Sequence, residues 1–163
     1  MEKEQTIIYF VRHGDTSRIY SLNQQEDDLR VLSDIGKVQA EKTGLYLKNY
    51  EPAAIYSSPR KRCVQTAEII KKTAEIPENI ETDKRVDEDY NLFTDDEMRK
   101  RFMELCGEIV DKYKGKQVVI VSHMFYFWLF SSHNDFFEPC SVIRLVFAND
   151  KLVHNSFLYP AKD

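Results

Sequence analysis

Arg12-His13, Arg62 and His123 are the residues whose types and placement best suit chemistry. Each stands just past a short run of strand-forming apolar residues. Ile7 to Val11 stops at Arg12-His13-Gly14. Ala53 to Tyr56 leads into Ser57-Ser58-Pro59-Arg60-Lys61-Arg62, and Val118 to Val121 ends at Ser122-His123. If the three strands are parallel, their ends open on one edge of a sheet, where open α/β folds place ligands. Two guanidiniums can fork onto phosphate oxygens. A neutral imidazole, whose unperturbed pKa is about 6.5, can attack phosphorus and carry the phosphoryl group. A second, protonated imidazole would stabilise charge on the group in transfer. Side chains supply every cation in this scheme, so it requires no metal.

The middle segment shows why an anion is expected. Serine before proline is a good helix start, with Pro59 near the first helical position. Three cations then crowd the positive end of the helix dipole, where they are disfavoured. Arg60 and Lys61 read as a solvated face. Arg62, able to turn back toward the strand ends, is better explained by an anion bound at the helix start.

The elements that must position these groups follow from periodicity. Ile7 to Val11 and Val118 to Val121 have the continuous apolar character of strands buried on both faces. Ser17 to Arg30 is polar, lacks periodicity and reads as a loop beside the end of the first strand. Ser33 caps a helix predicted to run to about Tyr50, with Ile35, Val38 and Leu45 on its apolar face. A second helix runs to about Ala74 with Val64, Ala67 and Ile70 inward. Glu81 to Asp89 reads as an acidic loop. Thr94 and Glu97 form a capping box, with Asp95 and Asp96 complementing the dipole; Met98, Phe102, Leu105 and Ile109 give that helix its stripe, and Gly115 ends it. The aromatic run Phe125 to Phe130 reads as a buried helix start. Ser141 to Phe147 and Leu152 to Phe157, around Asn149-Asp150, predict a closing hairpin. Strands alternating with helices imply a three-layer α/β/α sandwich with a mostly parallel central sheet and an antiparallel edge.

The 163 residues suit a single domain spanning 1–163. A net charge of −4 argues against a general nucleic-acid or membrane binder, whose footprint would be basic. Cys63, Cys106 and Cys140 are widely spaced, form no CxxC pair, and read as buried thiols in a reducing compartment. The charged start Met1 to Gln5 predicts no signal peptide, and Met124 to Phe130 is too short to span a bilayer. A cytoplasmic protein is expected. His133 and His154 belong to no motif and read as surface or helix-end residues.

Four segments in order resemble the histidine phosphatase superfamily, the phosphoglycerate-mutase-like clan. Arg12-His13-Gly14-Asp15-Thr16 is similar to its signature. Leu32-Ser33-Asp34-Ile35-Gly36-Lys37-Val38-Gln39-Ala40 resembles its L-[ST]-x-x-G-x-x-Q-A helix start. Ser57-Ser58-Pro59-Arg60-Lys61-Arg62-Cys63-Val64-Gln65-Thr66-Ala67 resembles S-S-P-x-x-R-x-x-Q-T-A, and Val121-Ser122-His123 the late V-S-H motif. The likeness runs from Ile7 to about Phe157. It implies His13 as the phosphorylated nucleophile, Arg12, Arg62 and Thr16 on the substrate phosphate, His123 as the second histidine, and no cofactor. Met124 stands where the family usually has glycine; its backbone N–H would still face the phosphate. Ile19 stands where many members have asparagine. Arg85-Val86-Asp87-Glu88 is similar to the R-L-x-E stretch that carries the general acid, which makes Glu88 the candidate, with Asp87 and Asp89 as alternatives because the glycines expected after it are missing.

Three functions fit this pattern. Hydrolysis of phosphomonoesters, or of phosphohistidine on a protein, through a phosphohistidine at His13 leads. A mutase must keep its phosphoryl group, and the clan's mutases resemble longer chains whose insertions enclose the substrate. A phosphate-binding or interaction domain without turnover would have no need of a nucleophile. The expected partner is a phosphorylated small molecule or phosphoprotein.

Overall fold

The computed structural model describes residues 4–17, 27–88 and 94–162. Six strands form one sheet: β1 (Gln5–Arg12), β2 (Ala54–Ser57), β3 (Glu81–Thr82), β4 (Gln117–Ser122), β5 (Val142–Ala148) and β6 (Lys151–Leu158), in the order β3-β2-β4-β1-β5-β6. β1, β2, β3 and β4 are parallel, and β5 runs antiparallel to both β1 and β6. The helices are α1 (Asp34–Lys48), α2 (Lys61–Ala74) and α3 (Asp95–Lys112), with 3-10 turns at Lys84–Val86 and Met124–Phe130.

Side-chain alternation along β1 divides the core. Tyr9 and Val11 pack with Leu47 of α1 and Cys63, Ala67 and Ile70 of α2, whereas Ile8 and Phe10 pack with Phe102, Leu105 and Ile109 of α3. Ile8 to Val11 and Val118 to Val121 are fully buried, as strands covered on both faces must be. Phe10 meets the edge of the Phe102 ring at 5.1 Å between centroids. Burying an aromatic or aliphatic side chain of this size contributes about 1.5–3 kcal/mol. The result is the expected three-layer α/β/α sandwich with an antiparallel edge, and β1, β2 and β4 end on one side of the sheet.

Ser33 caps α1 by accepting from Gly36 N at 3.0 Å, and Thr94 with Glu97 forms the full capping box of α3. Asn149 and Asp150 both take positive φ, as the hairpin turn between β5 and β6 requires. Cys63, Cys106 and Cys140 are buried and free. His133 is exposed against Asp95, and His154 lies exposed on β6. No helix among the described residues is long and apolar enough to cross a membrane.

Four expectations need correction. The face of α1 carrying Ile35, Val38 and Leu45 points to solvent, those residues being 65%, 49% and 58% exposed. The buried face is built from Gly36, Ala40, Thr43, Gly44 and Leu47, because α1 lies so close to α2 that a Cβ on Gly44 would collide with the Thr73 hydroxyl. Large side chains do not fit there. The acidic stretch from Glu81 is not all loop: Glu81 and Thr82 pair with Tyr56 and Ser57, and a 3-10 turn follows. α2 starts at Lys61 behind an N-cap at Arg60 that makes no side-chain cap bond, so Ser58 and Pro59 stand ahead of the helix. Phe125 to Phe130 forms a 3-10 turn instead of an α-helix, with Tyr126, Phe127 and Leu129 buried. The loop after Thr16 lies largely outside the described residues, as do Ile19 and Asp89.

Candidate active site

The ends of β1, β2 and β4 bring His13, Arg62 and His123 together. The rings of His13 and His123 stand 5.5 Å apart at 71°. His13 N–H donates to Ser122 O at 2.9 Å, which ties the loop after β1 to the end of β4. Two glycines allow the tight packing beneath. A Cβ on Gly14 would lie 2.6 Å from Gly36 O, and one on Gly36 would collide with Asp15 O. The start of α1 therefore presses directly on the loop carrying His13.

The other motif residues are the clamps of that loop. Asp15 N donates to Gln39 Oε1 at 2.9 Å, Gly14 N to Thr66 Oγ1 at 3.1 Å, and Leu32 N to Gln65 Oε1 at 2.9 Å. Ser33 N donates to Asp15 O at 3.0 Å. Buried backbone donors need partners, and glutamine and threonine side chains supply them here.

The imidazoles differ in protonation. His13 Nδ1 lies 2.8 Å from Gly14 O, so the proton belongs on Nδ1 and the lone pair on Nε2. Burial, followed by the charges of His123, Arg62 and Arg12, holds the His13 pKa well below the ordinary 6.5. Burial opposes charge on His123 too. There Cys63, with Sγ 3.5 Å from Nε2, and Glu88, with Oε2 3.0 Å from Nδ1, more than offset it, and the pKa is pushed up to about 9. At neutral pH the His13 ring is therefore neutral and the His123 ring a cation.

Arg62, 1% exposed, donates from Nη2 to Glu88 Oε2 at 2.7 Å and to Asp27 Oδ2 at 3.2 Å. Its Nε, like that of Arg12, is buried without a protein partner. Such orphaned donors are costly unless an acceptor arrives, and two guanidiniums offering them suit an anion. Arg12 also donates to Phe137 O and lies 5.7 Å from the centroid of the Phe136 ring.

Glu88 is thus drawn to the site, between Arg62 and His123. Asp87 is not available for proton transfer in the same way, since Oδ1 accepts from Arg60 Nε at 2.7 Å, Glu88 N at 2.7 Å and Ser58 Oγ at 3.3 Å. Ser58 Oγ in turn meets His123 Nε2 at 2.8 Å. Arg60, expected on a solvated face, is mostly buried; it pairs with Asp28 and Asp87 and donates to Glu88 O at 2.9 Å. Sequence reasoning missed Ser58, Arg60 and Asp27, whose only signal was a serine and a cation beside the β2 end. Thr16 is buried, and its hydroxyl accepts from Arg30. Met124, half-buried, begins the 3-10 turn directly after His123. Among the described residues, no group of three or more His, Cys, Asp or Glu side chains is placed to hold a metal ion.

Comparison with known proteins agrees with the resemblance in the motifs. The family model of the histidine phosphatase superfamily (branch 1) matches residues 8–95. The chain is 30% identical over 140 residues to the uncharacterized phosphatase PhoE of Bacillus subtilis, covering 72% of each. It is 29% identical over 160 residues to a metal-independent phosphoserine phosphatase of Arabidopsis thaliana, covering 76% of this chain and 66% of that one. Its fold superposes on the protein histidine phosphatase SixA complexed with tungstate with a TM-score of 0.73 at 16% identity, covering 94% of this chain and 97% of that one. With the family model spanning the ends of β1 and β2, α1, α2 and the clamps on the His13 loop, the chain belongs to the histidine phosphatase superfamily.

Proposed function

We propose that this protein is a metal-independent phosphatase, one domain over 1–163, that hydrolyses phosphomonoesters or protein phosphohistidine through a phosphohistidine on His13. One observation carries the reading: His13, its Nδ1 on Gly14 O and its Nε2 left for attack, faces the His123 ring and two buried guanidiniums with unpartnered Nε donors. Phosphatase relatives and the three free thiols, which fit a reducing cytoplasm, support it.

Arg12 and Arg62 hold the substrate phosphate, with Thr16 and the backbone N–H of Met124 at its border. His13 Nε2 attacks phosphorus; the P–N bond forms as the ester P–O bond breaks. Glu88 gives its proton to the leaving oxygen, a contribution of roughly 10²–10⁴-fold. The arriving phosphate draws on Arg62 and His123, the two cations paired with Glu88, and the freed carboxylate takes up a proton from solvent before it serves as the acid. Water then attacks phosphorus, gives a proton to Glu88, and the P–N bond breaks to free phosphate and restore His13. His123 stays protonated and stabilises the equatorial oxygens throughout.

The test is a panel of phosphorylated substrates, with acid-labile phosphate trapped in the intact protein and in His13→Ala. Turnover with a trapped phosphoenzyme that His13→Ala lacks is expected. Phosphate retained by His13→Ala would overturn the nucleophile, and interconversion of phosphoglycerates faster than phosphate release would make the protein a mutase. Glu88→Gln should slow alkyl phosphates far more than nitrophenyl phosphate; equal effects would remove Glu88 as the acid.

A further inference from the structure

Beyond the four motif residues, a chain of contacts continues from Arg62 to a cation that no motif contains. Asp27 bridges the two: Oδ2 lies 3.2 Å from Arg62 Nη2, and Oδ1 lies 3.0 Å from Arg30 Nη1. The backbone carbonyl of Asp27 also accepts from Arg62 Nη1 at 3.1 Å. Arg30 Nη2 donates to the Thr16 hydroxyl, three residues past His13. Ser17 N donates to Val31 O at 3.1 Å and Thr16 bridges to Leu32, so the backbone beside Arg30 is fastened to the loop leaving β1. Burial is the main influence lowering the pKa of Arg12, and the charge of Arg30 adds to it, which puts the third guanidinium within electrostatic reach of the first.

An aspartate on a phosphate-binding arginine has a consequence. Its carboxylate takes the hydrogen bonds that phosphate oxygens would take, and it would repel the dianion if it stayed. Arg12, Arg30, Arg62 and protonated His123 supply four positive charges, and Asp27 with Glu88 supplies two negative. Displacing Asp27 removes one of the two negative charges, so the site becomes more positive as a phosphomonoester, dianionic above about pH 6, enters. Arg30 and Asp27 are both partly exposed, with side chains 28% and 23% accessible, so the pair lies at the solvent edge of the site.

Resting on the phosphatase reading above, we propose that Arg30 is a further substrate-binding residue of this site, and that Asp27 is a carboxylate placeholder which phosphate displaces from Arg62 and Arg30. The substrate phosphate then meets three guanidiniums, and Asp27 weakens the binding of any anion that cannot displace it. The site thereby selects dianionic phosphate over singly charged anions.

Orthophosphate is the probe, used on the full chain by calorimetry and as a competitive inhibitor of nitrophenyl phosphate hydrolysis. Arg30→Ala should weaken orthophosphate binding roughly tenfold to a hundredfold, the range for one lost charge-assisted hydrogen bond, with Arg30→Lys between it and the wild type. Asp27→Asn, which keeps the side chain's size, should tighten orthophosphate several-fold and should tighten the singly charged anions chloride or nitrate more. Arg62→Ala is the control for the site itself. Loss of binding in Arg62→Ala with unchanged binding in Arg30→Ala overturns the role of Arg30 and leaves the phosphatase reading intact. Weaker binding in Asp27→Asn overturns the placeholder and makes Asp27 a scaffold for Arg62. Orthophosphate binding that survives Arg62→Ala refutes the phosphate site altogether. Should Arg30→Ala not fold, Arg30→Gln gives the same comparison.

Discussion

The charge on His123 is the property of this site most open to a quantitative test. Two neighbours raise its pKa against the effect of burial: Cys63 at 3.5 Å from Nε2 and Glu88 at 3.0 Å from Nδ1. The rise from 6.5 to about 9 corresponds to about 3 kcal/mol at ~1.36 kcal/mol per pH unit. His123 is fully buried, so solvent screens little of this. Its folded pKa lies above its unfolded one. The stabilisation is therefore complete below about pH 6.5 and is lost as pH rises through about 9. Removing both neighbours in Cys63→Ala/Glu88→Gln leaves burial opposed only by Ser58 at 2.8 Å and Asp87 at 3.9 Å from Nε2, and the pKa should fall well below 9. NMR titration of the His123 ring in wild type, the two single variants and the double variant reads this without turnover. Denaturant unfolding at pH 6 and pH 9.5 should show a stability difference of about 3 kcal/mol that the double variant lacks. The double variant still titrating near 9 would refute the account, because Cys63 and Glu88 would then not be what holds the buried imidazole charged.

Four further outcomes follow from the structure. In the wild type, kcat/KM should fall on the acid side as His13 protonates, well below pH 6.5, and on the alkaline side near about 9 as His123 loses its proton; a profile without the alkaline limb would count against His123. Gly36→Ala drives a methyl into Asp15 O, so it should lower stability by about 1–3 kcal/mol and displace His13, read as a lower Tm and a loss of kcat; unchanged values in both would contradict the close approach. Ser58→Ala breaks the link between His123 and Asp87 and should lower the alkaline limb while Ser58→Thr restores it, whereas Thr94→Ala should cost about 1 kcal/mol in unfolding and leave kcat/KM unchanged.

Motif order and strand character were enough to place Arg12, His13, Arg62 and His123 at one sheet edge, because a parallel sheet aligns the ends of β1, β2 and β4, whereas Glu88 came only from the family resemblance, with Asp87 and Asp89 as alternatives. The Ser33 cap, the Thr94/Glu97 capping box, the hairpin turn and the buried strands were equally legible, being local patterns of a few residues. Contacts between distant segments were not. Nothing in the sequence says that Arg60 closes on Asp87 or that Asp27 spans Arg62 and Arg30, since long charged side chains choose partners only after the backbone has placed them. The stripe of Ile35, Val38 and Leu45 shows the same divide from the other side. Periodicity finds a helix and an apolar face, but here the distance between α1 and α2 selected the face of small residues for burial. Sequence fixes which groups can do chemistry and near which strand ends they stand; the tertiary structure decides which imidazole is charged and which carboxylates surround the arginines, because those depend on separations of a few ångströms.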